Sequence, residues 1–219
     1  MQFGSYFLFW LIIITIPIIL APIFLLFLEK KKIKEALQQT YSWLKERSQK
    51  IYIDKAHVKK PKIVAELKPE LQLDRVEVTT FPIGTFTSPR AGLLFFLPRN
   101  YFSISGTKDI ESPIKFIITG RDPMSATIAW SEYKQGFETG DPVFDRRYMV
   151  KGEDFEEIPK ILSDSKFRSY ILRIYDLIKF EVRGNRHISF SVKCNPDMKS
   201  VENSILAMKR IIEILSETS

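Results

Sequence analysis

The first 28 residues contain no Asp, Glu, Lys or Arg, and this stretch constrains the chain more than any other feature. Its core, residues 6–28, reads YFLFWLIIITIPIILAPIFLLFL. As a helix rising about 1.5 Å per residue it spans about 34 Å, enough to cross a hydrocarbon layer of about 30 Å with some tilt. Lipid offers backbone groups no water, so a helix, which satisfies them within the segment, is the expected form. Pro17 and Pro22 would break a helix in water, whereas a membrane helix tolerates them as kinks. Tyr6 and Trp10 suit the interface at the outer end. A cleaved signal peptide is the rival reading. It calls for a basic leader, a shorter apolar run and a small-x-small cleavage site, and none of these is present. The sequence therefore predicts an uncleaved single-pass anchor over residues 1–28.

Charge sets the expected orientation. Lys30, Lys31, Lys32 and Lys34 follow the apolar run within two helical turns, which by the positive-inside tendency puts the C-terminal side in the cytoplasm. The chain's formal net charge is +7. Residues 29–62 hold eleven basic and four acidic side chains, while residues 63–219 hold twenty-two of each. The whole excess thus sits beside the predicted span, where it suits anionic headgroups. A nucleic-acid binder would need a basic face on its folded domain, so the high pI does not point to nucleic acid.

Residues 29–60 contain neither Pro nor Gly, and Ile33, Leu37, Tyr41, Leu44 and Ile51 recur with helical spacing. A basic juxtamembrane helix is predicted over residues 29–62, ended by Pro61. Three placements stay open for its apolar stripe: against the folded domain, on the lipid surface, or against a partner helix.

One domain is predicted over residues 63–219. Strand patterns occur at 76–80, 93–97, 101–105, 114–119, 126–133 and 143–151, separated by Gly- and Pro-bearing turns. A short helix is expected over 153–162, although Pro159 could divide it. Ser163 or Asp164 could cap the next helix, in which Phe167, Tyr170, Ile171, Ile174 and Tyr175 share helical spacing. Strands at 179–183 and 187–192 flank Gly184-Asn185-Arg186, a hairpin signal. A final helix over 198–215, capped by Asp197, aligns Val201, Ile205, Met208, Ile212 and Leu215 on one face. Strands followed by helices and a hairpin imply an α+β domain with a mostly antiparallel sheet covered by C-terminal helices.

The segment GDPVFDRRYMVKG at 140–152, then an acidic helix, a second helix, a hairpin and a last helix, resembles a module of uncharacterised prokaryotic single-pass membrane proteins. The resemblance covers about residues 135–215 and implies no activity. In this reading Phe144, Tyr148 and Val150 lie on one strand face under the helices, and Asp145 sits on the other face or bonds nearby backbone.

Motifs that carry chemistry are sparse. There is one cysteine, Cys194, and there are two histidines, His57 and His187, too few for a zinc site or a credible cysteine–histidine pair. Glu138, Asp141 and Asp145 could hold a hard cation, but they lack the EF-hand ligand order, and a turn whose Asp side chains bond their own backbone explains them better. Arg146 and Arg147, as strand neighbours, would point to opposite faces. No phosphate-binding glycine loop or hydrolase signature occurs. The sequence thus predicts no catalytic, cofactor or metal site. The expected partners are a lipid bilayer and a protein in a membrane complex. An enzyme with an unfamiliar site, and a lipid or apolar-ligand binder suggested by 17 Phe and 8 Tyr, stand as alternatives.

Overall fold

A computed structural model describes residues 3–54, 61–85, 97–121, 135–153 and 156–218, with the side chains of 3–19, 21–23, 82–85, 97–99, 135 and 218 outside that description. The predicted strands at 93–97 (apart from Leu97) and 126–133 lie outside the described residues, as does His57.

The chain opens with one long helix, α1 (Phe3–Arg47), so the apolar run and the basic stretch after it form a single rod. Strands β1 (Ser48–Asp54), β2 (Lys62–Leu67), β3 (Arg75–Thr85) and β4 (Leu97–Lys108) follow as a meander. Next come β5 (Lys115–Gly120), β6 (Gln135–Phe137), helix α2 (Pro142–Arg147), β7 (Tyr148–Gly152) and helices α3 (Glu157–Ser163) and α4 (Ser165–Arg173). The chain closes with β8 (Lys179–Arg183), β9 (Ile188–Cys194) and α5 (Met198–Thr218).

Among the described residues nine strands form one sheet in the order β1-β2-β3-β4-β9-β8-β5-β7-β6, and every pairing is antiparallel. The late β8–β9 hairpin is the hinge of this arrangement, inserted between β4 and β5 so that it joins the two halves. Gly184 at its turn makes the insertion possible: its N–H donates to the Ile114 carbonyl at 2.7 Å, and a Cβ there would lie 2.2 Å from the Ser112 carbonyl oxygen.

The core lies between one sheet face and the helices. Val76, Val78, Phe102, Ile104, Phe116, Ile118, Phe180, Val182, Phe190 and Val192 alternate inward along their strands and are buried, as period-two patterning requires. The face of α5 that carries Val201, Ile205, Met208, Ile212 and Leu215 covers them. Asp164 caps α4 by accepting from the Phe167 N–H at 2.7 Å, and Asp197 caps α5 through the Ser200 N–H at 2.9 Å. Pro159 does not divide α3. It is the third helical residue, where the N–H has no intrahelical partner to lose.

The basic helix packs on the domain. Ala36, Thr40 and Leu44, four apart, are buried, and Leu37 and Tyr41 flank them against the core. Its end is earlier than the sequence implies: α1 stops at Arg47, and residues 48–54, expected to be helical, form β1. Tertiary bonds stop it, because Lys68 N–H donates to the Arg47 carbonyl at 2.9 Å and Lys68 Nζ to the Glu46 carbonyl at 2.8 Å. The dense β-formers Ile51-Tyr52-Ile53 then pair with β2.

The stretch 143–151, expected as one strand, is also different. Asp141 accepts from the Val143 and Phe144 N–H groups at 2.9 and 3.2 Å, and Pro142 fits the first helical turn, so Pro142–Arg147 coils before the chain straightens into β7. Phe144 therefore reaches the core from a helix, not from the strand that carries Tyr148 and Val150; the Phe144 and Tyr148 rings lie 5.2 Å apart. Arg146 and Arg147, expected on opposite faces of a strand, instead both lie in the last turn of α2.

Candidate functional site

Two polar clusters, the single cysteine and one helix surface are the places where function could reside.

The GDPVFD segment is a structural latch. Gly140 takes a positive φ of 74°, which glycine adopts without a steric penalty. Its N–H, together with the N–H and Oγ1 of Thr139, donates to the Asp145 carboxylate at 2.9–3.0 Å. Asp141, besides capping α2, accepts from Arg168 Nε at 3.3 Å, and Arg168 also donates to the Leu162 carbonyl. The backbone bond from Phe144, aided by Arg168, holds the Asp141 carboxyl below the usual carboxylate range. Arg147 reaches the Leu172 carbonyl in the last turn of α4 at 3.5 Å. Among the described residues no group of His, Cys, Asp and Glu is arranged to hold a metal ion.

A second cluster occupies the sheet face away from α5. Glu181 is 3% exposed and sits between Lys179, at 2.5 Å, and Arg183. Burial alone would raise its pKa, but the two cations outweigh it and hold the carboxyl low. Such a group is a fixed anion, unsuited to donating a proton near neutrality. Sequence reasoning passed over this cluster, although Lys179-Phe-Glu-Val-Arg183 shows it: residues two apart on a strand share a face.

Cys194 ends β9 and is buried. Burial, with the charges of Asp197 and Asp176, pushes its thiol up, away from the thiolate that nucleophilic chemistry needs. His187 is exposed in the turn before β9, not in the strand as expected.

The remaining feature is the outward surface of α1. At about 100° per residue, Ala36, Thr40 and Leu44 define the side facing the domain, and the opposite side is uncovered among the described residues. Leu20, Phe24, Leu25, Phe27 and Leu28 are 36–64% exposed. Lys30, Lys31, Lys32 and Lys34, the predicted membrane-surface residues, are all exposed as well. They fan over the same free side, while Glu29 and Ile33 turn toward the domain and are only partly exposed. The surface of one continuous helix therefore changes from large apolar groups to ammonium groups between Leu28 and Lys30, about 3 Å of rise. Among the residues whose side chains are described, no helix is long and apolar enough to cross a membrane.

No protein-family profile matches the chain, and no curated protein matches it significantly.

Proposed function

We propose that the chain is a single-pass membrane protein whose α1 spans the bilayer over residues 6–28 and holds the sheet domain against the membrane surface as a binding or assembly module. The abrupt change from the exposed side chains of Leu20, Phe24, Leu25, Phe27 and Leu28 to exposed lysines carries this reading. Five apolar side chains about half exposed stand to gain roughly 5 kcal/mol on leaving water. The four lysines add about 1 kcal/mol each near anionic headgroups, and their side of the membrane is the cytoplasmic one by the positive-inside tendency.

The assembly part rests on the sheet edges. Among the described residues one outer edge, β6, has three residues, whereas the other, β1, has seven and exposes Tyr52 and Ile53 at 41% and 44%. A long edge with exposed apolar side chains is a template for strand addition by a partner. Purification of the full chain in mild detergent tests it. A species larger than the monomer, reduced to monomer by Ile53→Pro, is the expected result; a monomer from the start overturns the assembly reading.

A further inference from the structure

β3 and β4 are longer than the sheet that holds them. β2 accompanies β3 only from Arg75 to Thr79, and β9 accompanies β4 only from Phe102 onward. The five rungs from Phe81–Tyr101 to Thr85–Leu97 have no further strand beside them among the described residues. They form a two-stranded arm. Its base is fixed: the Phe81 and Tyr101 rings lie 6.0 Å apart, and Lys193 Nζ sits 4.9 Å from the Phe81 ring centre, a cation–π contact.

The arm has a defined direction. At the start of β3, Leu67 N–H donates to the Asp74 carbonyl and Lys68 N–H to the Arg47 carbonyl, so β3 begins beside the C-terminal end of α1. On the arm, Asn100 donates to Glu29 Oε1 through its backbone N–H at 2.8 Å and its side-chain amide at 3.3 Å. β3 therefore runs antiparallel to α1. Helix from Glu29 to Arg47 covers about 27 Å, and strand from Arg75 to Pro82, the partner of Asn100, covers about 23 Å, so the two run side by side at matching length. Three rungs lie beyond Asn100, adding about 10 Å, which equals six or seven residues of helix. Glu29 is the first charged residue of the chain. The end of the arm thus reaches the level of the uncharged segment of α1.

We propose that the β3–β4 arm is a second membrane contact whose last three rungs, Ile83–Arg99, Gly84–Pro98 and Thr85–Leu97, enter the interfacial layer of the bilayer that holds α1. The inference rests on the anchor reading above. The depth is limited by physics: a two-stranded ribbon has unpaired backbone groups along both edges, which hydrocarbon does not satisfy and the hydrated interface does. The local sequence agrees with an anionic headgroup layer, because residues 78–107 include no Asp or Glu and two basic residues, Arg90 and Arg99.

The test uses the full chain, with Cys194→Ala, in vesicles of phosphatidylcholine and phosphatidylglycerol. A nitroxide is attached through Thr85→Cys or, at the opposite end of the same hairpin, Thr107→Cys. The expected result at Thr85 is a loss of collisions with a water-soluble nickel chelate and a gain of collisions with oxygen, with the reverse at Thr107. Oxygen collisions separate lipid from protein burial, since packing against α1 alone lowers both. Low values for both reagents at Thr85, or free chelate access there, overturn the arm proposal. The same vesicles are washed at alkaline pH and floated. Chain lost to the wash means the anchor itself fails and the arm proposal with it; chain retained with an aqueous Thr85 label means the arm alone fails.

Discussion

Glu29 and Asn100, 71 positions apart, are joined by two hydrogen bonds to one carboxylate oxygen. The contact fixes the β3–β4 hairpin beside α1 at the point where the helix surface turns from apolar to basic. Glu29→Ala removes the charged acceptor, and a hydrogen bond to a charged group is worth about 1.5–3 kcal/mol. The expected outcome is faster amide exchange at Asn100, by about a factor of 10 or more, with little change at Ile104 inside the sheet. Glu29→Gln, which keeps an acceptor, falls between the two.

Asp164 holds two elements together. It caps α4 and accepts from Arg210 Nη2 at 2.8 Å and Nε at 3.1 Å, tying the helix to α5. Asp164→Asn keeps a capping oxygen and loses the ion pair, so it should cost about 1 kcal/mol, and Asp164→Ala about 2 kcal/mol. Urea unfolding of the two variants checks the order.

The same carboxylate makes stability depend on pH. Burial would raise the Asp164 pKa, but Arg210 and the Phe167 N–H hold it below its ordinary value; Glu181 and Asp74 are also lowered. A depressed folded-state pKa contributes stability that is present above the unfolded value, near 4, and is lost as pH falls through the folded value. Urea midpoints measured from pH 6 down to pH 2 should therefore fall below about pH 4, and Asp164→Ala should show a smaller fall than the parent chain.

Glu181 is the costlier carboxylate to remove. Glu181→Gln leaves Lys179, with a side chain 13% exposed, without its counter-charge, and a loss of about 2–3 kcal/mol is expected, moderated because Arg183 reaches solvent. Adding Lys179→Met should recover part of it, since removing both charges relieves the unpaired cation. A thermal-melt cycle over the four chains measures the coupling.

Much of the domain is legible in local pattern. The β8–β9 hairpin, the body of β3, β5, the α5 stripe and the Asp164 and Asp197 caps all follow from short-range rules, since alternation, helical spacing and side-chain capping act within a few residues. The misreadings have a common cause: tertiary contacts decided between two locally acceptable conformations. Nothing in residues 48–54 forbids a helix, yet the backbone of Lys68 closes α1 at Arg47 and β2 recruits Ile51 to Asp54. Residues 143–151 alternate well enough for a strand, but the Asp141-Pro142 cap coils the first half. The apolar run and the four lysines were readable because composition alone defines them. The insertion of β8–β9 between β4 and β5, and the Glu29–Asn100 bond, join distant residues and leave no mark in the local sequence.

Both the membrane attachment and the arm's second contact depend on α1 holding the chain in a bilayer. Membranes from cells expressing the full chain can be washed with alkaline carbonate, which strips proteins held by surface charge and leaves membrane-spanning ones in the pellet. The chain is predicted to stay in the pellet, and to stay there when Lys30, Lys31, Lys32 and Lys34 are all changed to Gln. Release of the parent chain into the supernatant would contradict the claim.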